Sequence, residues 1–150
     1  MHYSISSFLF GGEQNQSTRQ NLGYLLLRFF VGLALCTVFE KFLPQGGVWG
    51  PQAWFVEDTA KMGFPFPRIF AWAAVLAEFF GGILLILGLL TRPAALLNFL
   101  VTFTATFLYH KGDIVQSGLV SFFFMIMCLC IFLFGPGKFS LDNLLHRKTS

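Results

Sequence analysis

Four groups of ionisable residues stand inside or beside long apolar stretches of this chain. Glu78 sits near the middle of an apolar run, about 14 Å from its start at 1.5 Å rise per residue. Arg28 lies about 9 Å into an earlier run by the same measure. Glu40-Lys41 closes that earlier run, and Tyr109-His110-Lys111 closes a third. Charge inside an apolar segment is costly, so such residues mark function by default. Glu78 is expected to face other helices and to be protonated or paired there. Arg28 keeps its charge and must meet a carboxylate, a carbonyl or lipid headgroups. An Arg28–Glu78 pair across adjacent helices is one expectation. A histidine beside a carboxylate can relay protons near neutral pH, which draws attention to His110 near Glu40 and Lys41. Arg28, Glu40, Lys41, Glu78, Tyr109 and His110 are the candidates for ligand binding or proton relay. No complete catalytic constellation accompanies them.

Softer patterns surround these residues. Ala73, Ala77, Gly81, Gly82 and Gly88 border Glu78 and would let a neighbouring helix approach closely. Asn98, Thr102, Thr106 and Tyr109 share one helical face, as do Ser117, Ser121, Met125 and Cys128. Such stripes either join helices or line a pocket. Cys36, Cys128 and Cys130 lie in apolar stretches. Their odd number argues against a disulfide framework. With no C-x-x-C and no zinc-type spacing, no metal is expected.

The elements that must position these residues follow from composition. Of 150 residues, 55% are hydrophobic and only 11% charged, and 21 are Phe. A soluble domain carries about 25% charged residues. The apolar excess excludes a disordered chain, and a net charge of +3 without a basic run excludes a nucleic-acid binder. An all-α integral membrane protein remains: a four-helix transmembrane bundle with apolar runs at about 22–43, 69–90, 93–109 and 118–134. Thr91-Arg92-Pro93 forces a tight hairpin between the second and third runs. Gly135-Pro136-Gly137 stops the fourth.

The long connection, 44–68, contains a segment, Gln52–Met62, patterned as a short amphipathic helix. Trp54, Phe55 and Met62 would face lipid or protein, and Glu57, Asp58 and Lys61 water. The loop reads either as a lid or as a packed cap. Residues 1–21 form a polar leader in which Ser17 and Thr18 could cap a helix. Residues 22–145 form the membrane domain, and 146–150 a basic tail. The distribution of Lys and Arg favours cytoplasmic termini, with the long loop on the other side.

An ordered set of motifs resembles one family. Leu26-Leu27-Arg28 with Gly32 and Lys41, Glu78-Phe79-Phe80-Gly81-Gly82, Leu90-Thr91-Arg92-Pro93, His110, and Gly135-Pro136-Gly137 with Ser140-Leu141-Asp142 together look like the DoxX family. Where members often carry a His-Gly pair before the lysine of the first span, this chain reads Cys36-Thr37-Val38-Phe39-Glu40-Lys41. The resemblance implies a small bacterial inner-membrane protein, similar to the small subunit of thiosulfate:quinone oxidoreductase. It further implies a redox system with a quinone as ligand and a partner protein or second copy supplying what this chain lacks. The residues themselves leave three functions open: a subunit of an oxidoreductase that binds quinone between its helices, a scaffold or assembly subunit without catalysis, and a small anion or weak-acid transporter. No cofactor intrinsic to the chain is expected.

Overall fold

The structure, a computed structural model, describes residues 18–42 and 50–149. The leader up to Ser17 and residues 43–49, with Gly46, Gly47 and Trp49, lie outside the described residues, as do the side chains of Glu40 and of residues 146–149. Helix α1 spans Thr18–Cys36 and tightens into a 3-10 turn over Thr37–Phe42. Helix α2, Ala53–Lys61, lies in the long connection. Helix α3, Pro67–Leu87, and helix α4, Thr91–Thr104, form the expected hairpin. Helix α4 widens into a π-helical segment, Ala105–Tyr109. A second π segment, Ile114–Gly118, leads into α5, Leu119–Phe134, and a short helix α6, Leu141–Thr149, follows. No strand occurs among the described residues.

The terminal residues 146–149 are thus part of α6, which crosses the expected boundary between membrane domain and tail. The Ser140 hydroxyl accepts the Asn143 amide at 3.2 Å, a side-chain cap that the apolar pattern did not reveal.

Two helical stretches, Pro67–Leu87 and Ile114–Phe134, are long and apolar enough to cross a bilayer. The first and third apolar runs are broken by the 3-10 and π segments, leaving α1 at 19 residues and α4 at 14. The distribution of side chains is inverted relative to a soluble domain. Phe30, Phe80, Val120, Phe123 and Leu133 are exposed, whereas Arg28, Glu78, Asn98, Thr106 and Asp142 are buried. Such an arrangement suits an apolar solvent outside and polar satisfaction within. The chain is an all-α membrane protein.

The crossing of α1 on α3 is set by glycine. A Cβ on Gly32 would stand 2.6 Å from the Gly82 carbonyl oxygen, and one on Gly82 would stand 2.7 Å from that of Gly32. The two backbones therefore touch, and only glycine permits it. The contacts run antiparallel: Arg28 meets Gly88, Gly32 meets Gly82, and the Cys36 thiol donates to the Phe79 carbonyl at 3.7 Å. Gly82→Leu is expected to separate α1 from α3 and to abolish the folded monomer on size-exclusion chromatography in detergent. Wild-type elution and melting would contradict this account of the crossing. Overpacking by a single methyl, Gly82→Ala, should cost about 1–3 kcal/mol.

Candidate functional site

Opposite ends of the bundle are built differently. The hairpin end is a closed clasp. The Arg28 guanidinium, 1% exposed, donates to the carbonyls of Pro136 and, at 2.7 Å, Phe139. The Tyr24 hydroxyl donates to the carbonyls of Gly135 and Ile131. The fully buried Asp142 carboxylate accepts the amides of Leu90 at 2.8 Å and Thr91 at 2.9 Å, while its own amide donates to the Gly88 carbonyl at 2.9 Å. These amides open α4, so the carboxylate caps the positive end of that helix. It also holds Leu90 in the left-handed region, at φ 47°.

Arg28 therefore does not pair with Glu78. Antiparallel packing puts Arg28 beside Gly88, ten residues further along α3 and about 15 Å away by helical rise. Its charge is met by backbone carbonyls of the closing segment instead.

Glu78 pairs with Lys41. The Lys41 ammonium donates to Glu78 Oε2 at 3.1 Å, with the glutamate side chain 8% exposed and the lysine 23%. The 3-10 turn after Cys36 carries Lys41 into this position. Its Nζ also stands 5.1 Å from the centre of the Phe55 ring, a cation–π contact supplied by α2.

The pair forms one polar wall of a cavity of about 570 Å³. Ala73, Ala74 and Ala77 of α3 face Leu100, Val101 and Thr104 of α4 across it. Trp54, Phe55, Asp58 and Thr59 of α2 cover it at the loop end, where Tyr109 and His110 join them. Four sequence candidates, Lys41, Glu78, Tyr109 and His110, thus share one cavity. Arg28 belongs to the other end. The Glu40 side chain lies outside the described residues.

The small residues divide into two roles. Gly81, Gly82 and Gly88 make close contacts, with Asn98, Gly32 and Arg28 respectively. Ala73 and Ala77, expected to pack against a helix, instead line the cavity, and their small size keeps it open. Of the α4 stripe, Asn98, Thr102 and Thr106 are buried and Tyr109 is half exposed, and the buried side chains bond back along their own helix. Asn98 donates to the Ala94 carbonyl, Thr102 to Asn98 and Thr106 to Thr102. On α5, Ser121 reaches the cavity, while Met125 and Cys128 are buried in the bundle. The three cysteines are free, and no cluster able to hold a metal occurs among the described residues.

Helix α2 matches the amphipathic expectation closely in extent, with one exception in orientation. Phe55 and Met62 face protein, Trp54 borders the cavity while half exposed, and Glu57 and Lys61 face water at 70% and 63% side-chain exposure. Asp58 turns inward to the cavity instead. It accepts from Lys61 at 3.1 Å. That bond, with the charge of Glu57 beside it, holds the Lys61 ammonium above the ordinary lysine range. Sequence reasoning put Asp58 on the water-facing side and gave Asp142 no individual role, because the seating of α2 and the amides that Asp142 meets about fifty residues away are set by tertiary packing.

The DoxX family model matches residues 23–111, which include the Lys41–Glu78 pair and the α3–α4 hairpin. The chain belongs to the DoxX family. Among curated proteins it is 32% identical to the inner membrane protein YqjF of Escherichia coli (strain K12), over 63% of this chain and 72% of that protein. It is 33% identical to the inner membrane protein YphA of the same organism, over 59% of this chain and 69% of that protein. No solved structure matches this DoxX protein significantly.

Proposed function

We propose that this DoxX protein is a four-span subunit of a bacterial inner-membrane redox system. In this reading it holds a quinone or similarly lipid-like molecule in the cavity beside Glu78. The observation that carries the reading is an apolar chamber of about 570 Å³ with a buried ion pair on its wall. A ligand site has this character: apolar walls with a few convergent polar groups. Lys41, Tyr109 and His110 can donate hydrogen bonds to ring carbonyl oxygens, and Glu78 can exchange protons with the reduced ring. Electrons would come from a partner protein, because the sequence contains neither a C-x-x-C pair nor a flavin fingerprint. The names of the two Escherichia coli relatives support the inner membrane as its location. Helices α1 and α4 with their 3-10 and π extensions supply the two spans beyond those already long enough.

The test is titration of purified protein with a ubiquinone or menaquinone analogue, followed by quenching of Trp54 fluorescence in a background where Trp49 and Trp72 are replaced by Phe. Saturable binding is expected. Lys41→Ala and Glu78→Gln should each weaken it about tenfold, equivalent to about 1.4 kcal/mol, as for loss of a buried polar contact. Lys138→Ala, at the opposite end, should leave it unchanged. Binding that is equally strong in all three variants would refute this site.

A further inference from the structure

Helices α3 and α4 are held together at one level and parted at another. At Gly81 an added Cβ would stand 2.1 Å from the Asn98 side-chain nitrogen, so the helices touch there. One to two turns closer to α2, the facing residues of α3 are Ala73 and Ala77, too small to reach across. On α4, at about the level of Asn98, Leu97 and Leu100 line the same cavity yet remain 52% and 51% exposed. Residues that are both cavity wall and outer surface mark an opening. Ala73 and Ala77 are the seventh and eleventh residues of a 21-residue span. They lie about 9–15 Å from its start by helical rise, within the depth of hydrocarbon rather than headgroups. On the water side, α2 covers the same cavity with Trp54 and Phe55.

We propose that the cavity is loaded sideways from the bilayer through the slit between α3 and α4. Its ligand is an amphiphile whose long apolar tail lies in that slit and whose carbonyl-bearing head sits beside Lys41 and Glu78. This deepens the reading above by naming the ligand class as membrane-borne and tailed. Leu97 and Leu100 continue the acyl environment inward, so a tail crossing the slit stays in apolar surroundings along its whole length. A water-soluble molecule would enter instead at the loop end, past the half-exposed Trp54 and Tyr109.

The test uses the full chain in nanodiscs of phosphatidylethanolamine and phosphatidylglycerol. Ala77→Trp fills the slit from α3, and Leu100→Trp fills it from α4. Each is titrated with a quinone bearing an isoprenoid tail, scaled to its mole fraction in the membrane, and with a tailless benzoquinone. Because both residues also line the cavity, some loss is expected for both quinones, and the loss for the tailed one should exceed that for the tailless one at least tenfold. Retained tailless binding also shows that the variant is folded. Equal effects on both quinones, or none on either, overturn the lateral route. In a separate arm, a benzoylphenylalanine photo-crosslinker replaces Leu100. It should label phospholipid acyl chains, and tailed quinone added before irradiation should suppress that labelling. Acyl labelling that the tailed quinone does not suppress, with no quinone binding, would refute the quinone reading and keep the slit. Absence of acyl labelling would refute the slit, whatever the quinone does.

Discussion

Lys41→Met is expected to destabilise the protein by about 3–5 kcal/mol, the range found when one partner of a buried ion pair is removed. The asymmetry of the pair makes the prediction specific. Glu78 is 8% exposed and sits mid-span, so loss of Lys41 leaves its carboxylate buried without the ammonium that compensates it. Lys41 is 23% exposed at the end of a 3-10 turn, so without Glu78 its ammonium can turn toward the headgroups. Glu78→Gln should therefore cost clearly less than Lys41→Met. The double variant should recover most of the loss, since a neutral pair needs no compensation. Chemical unfolding of the four species in detergent, analysed as a double-mutant cycle, measures the coupling directly. Additive effects would show that the ion pair does not bear on stability, and equal losses from the two single variants would contradict the asymmetry.

Asp142→Ala should produce a loss of similar size at the other end of the molecule. Its carboxylate accepts two backbone amides, those of Leu90 and Thr91. Hydrogen bonds to a charged acceptor are worth about 1.5–3 kcal/mol each, so the pair amounts to about 3–6 kcal/mol. Alanine leaves both amides orphaned at the start of α4 and removes the restraint on the left-handed Leu90. Asp142→Asn retains one accepting oxygen and should lose about half as much. Hydrogen exchange offers a local reading. The amides of residues 90 and 91 should lose protection first, and those in the middle of α3 should follow only with global unfolding. Unchanged protection at residues 90 and 91 would contradict the role assigned to this carboxylate.

The sequence was legible wherever the reason for a structure was local. Pro67, Pro93 and the Gly135-Pro136-Gly137 run punctuate helices through backbone chemistry, and the hairpin at Thr91 follows from the shortness of its connection. Helix α2 was readable from the alternation of Trp54, Phe55 and Met62 with charged residues. The partner of Glu78 was not readable, because it depends on the register of α1 against α3. The Gly32–Gly82 contact fixes that register. Once those glycines are opposed, antiparallel packing brings Arg28 to Gly88 and sends the residues after Cys36 toward Glu78. A glycine pair was therefore the signal that could have chosen Lys41 over Arg28. Asp58 and Asp142 were illegible for a related reason. The inward turn of Asp58 depends on how α2 seats on the bundle, and Asp142 acts on amides about fifty residues away in sequence.

The π segment at Ala105–Tyr109 carries a further consequence. An α-helix turns about 100° per residue, so one extra residue within a turn acts as a phase shift. Upstream of it, α4 follows the phase that puts Asn98 against Gly81. Downstream, Tyr109 and His110 follow a rotated phase that brings them under α2. The wide turn decouples the two halves of one helix. It allows the packing half to keep its contacts while the cavity half is indexed independently, so a single-residue insertion or deletion there would re-aim the polar rim without repacking the hairpin.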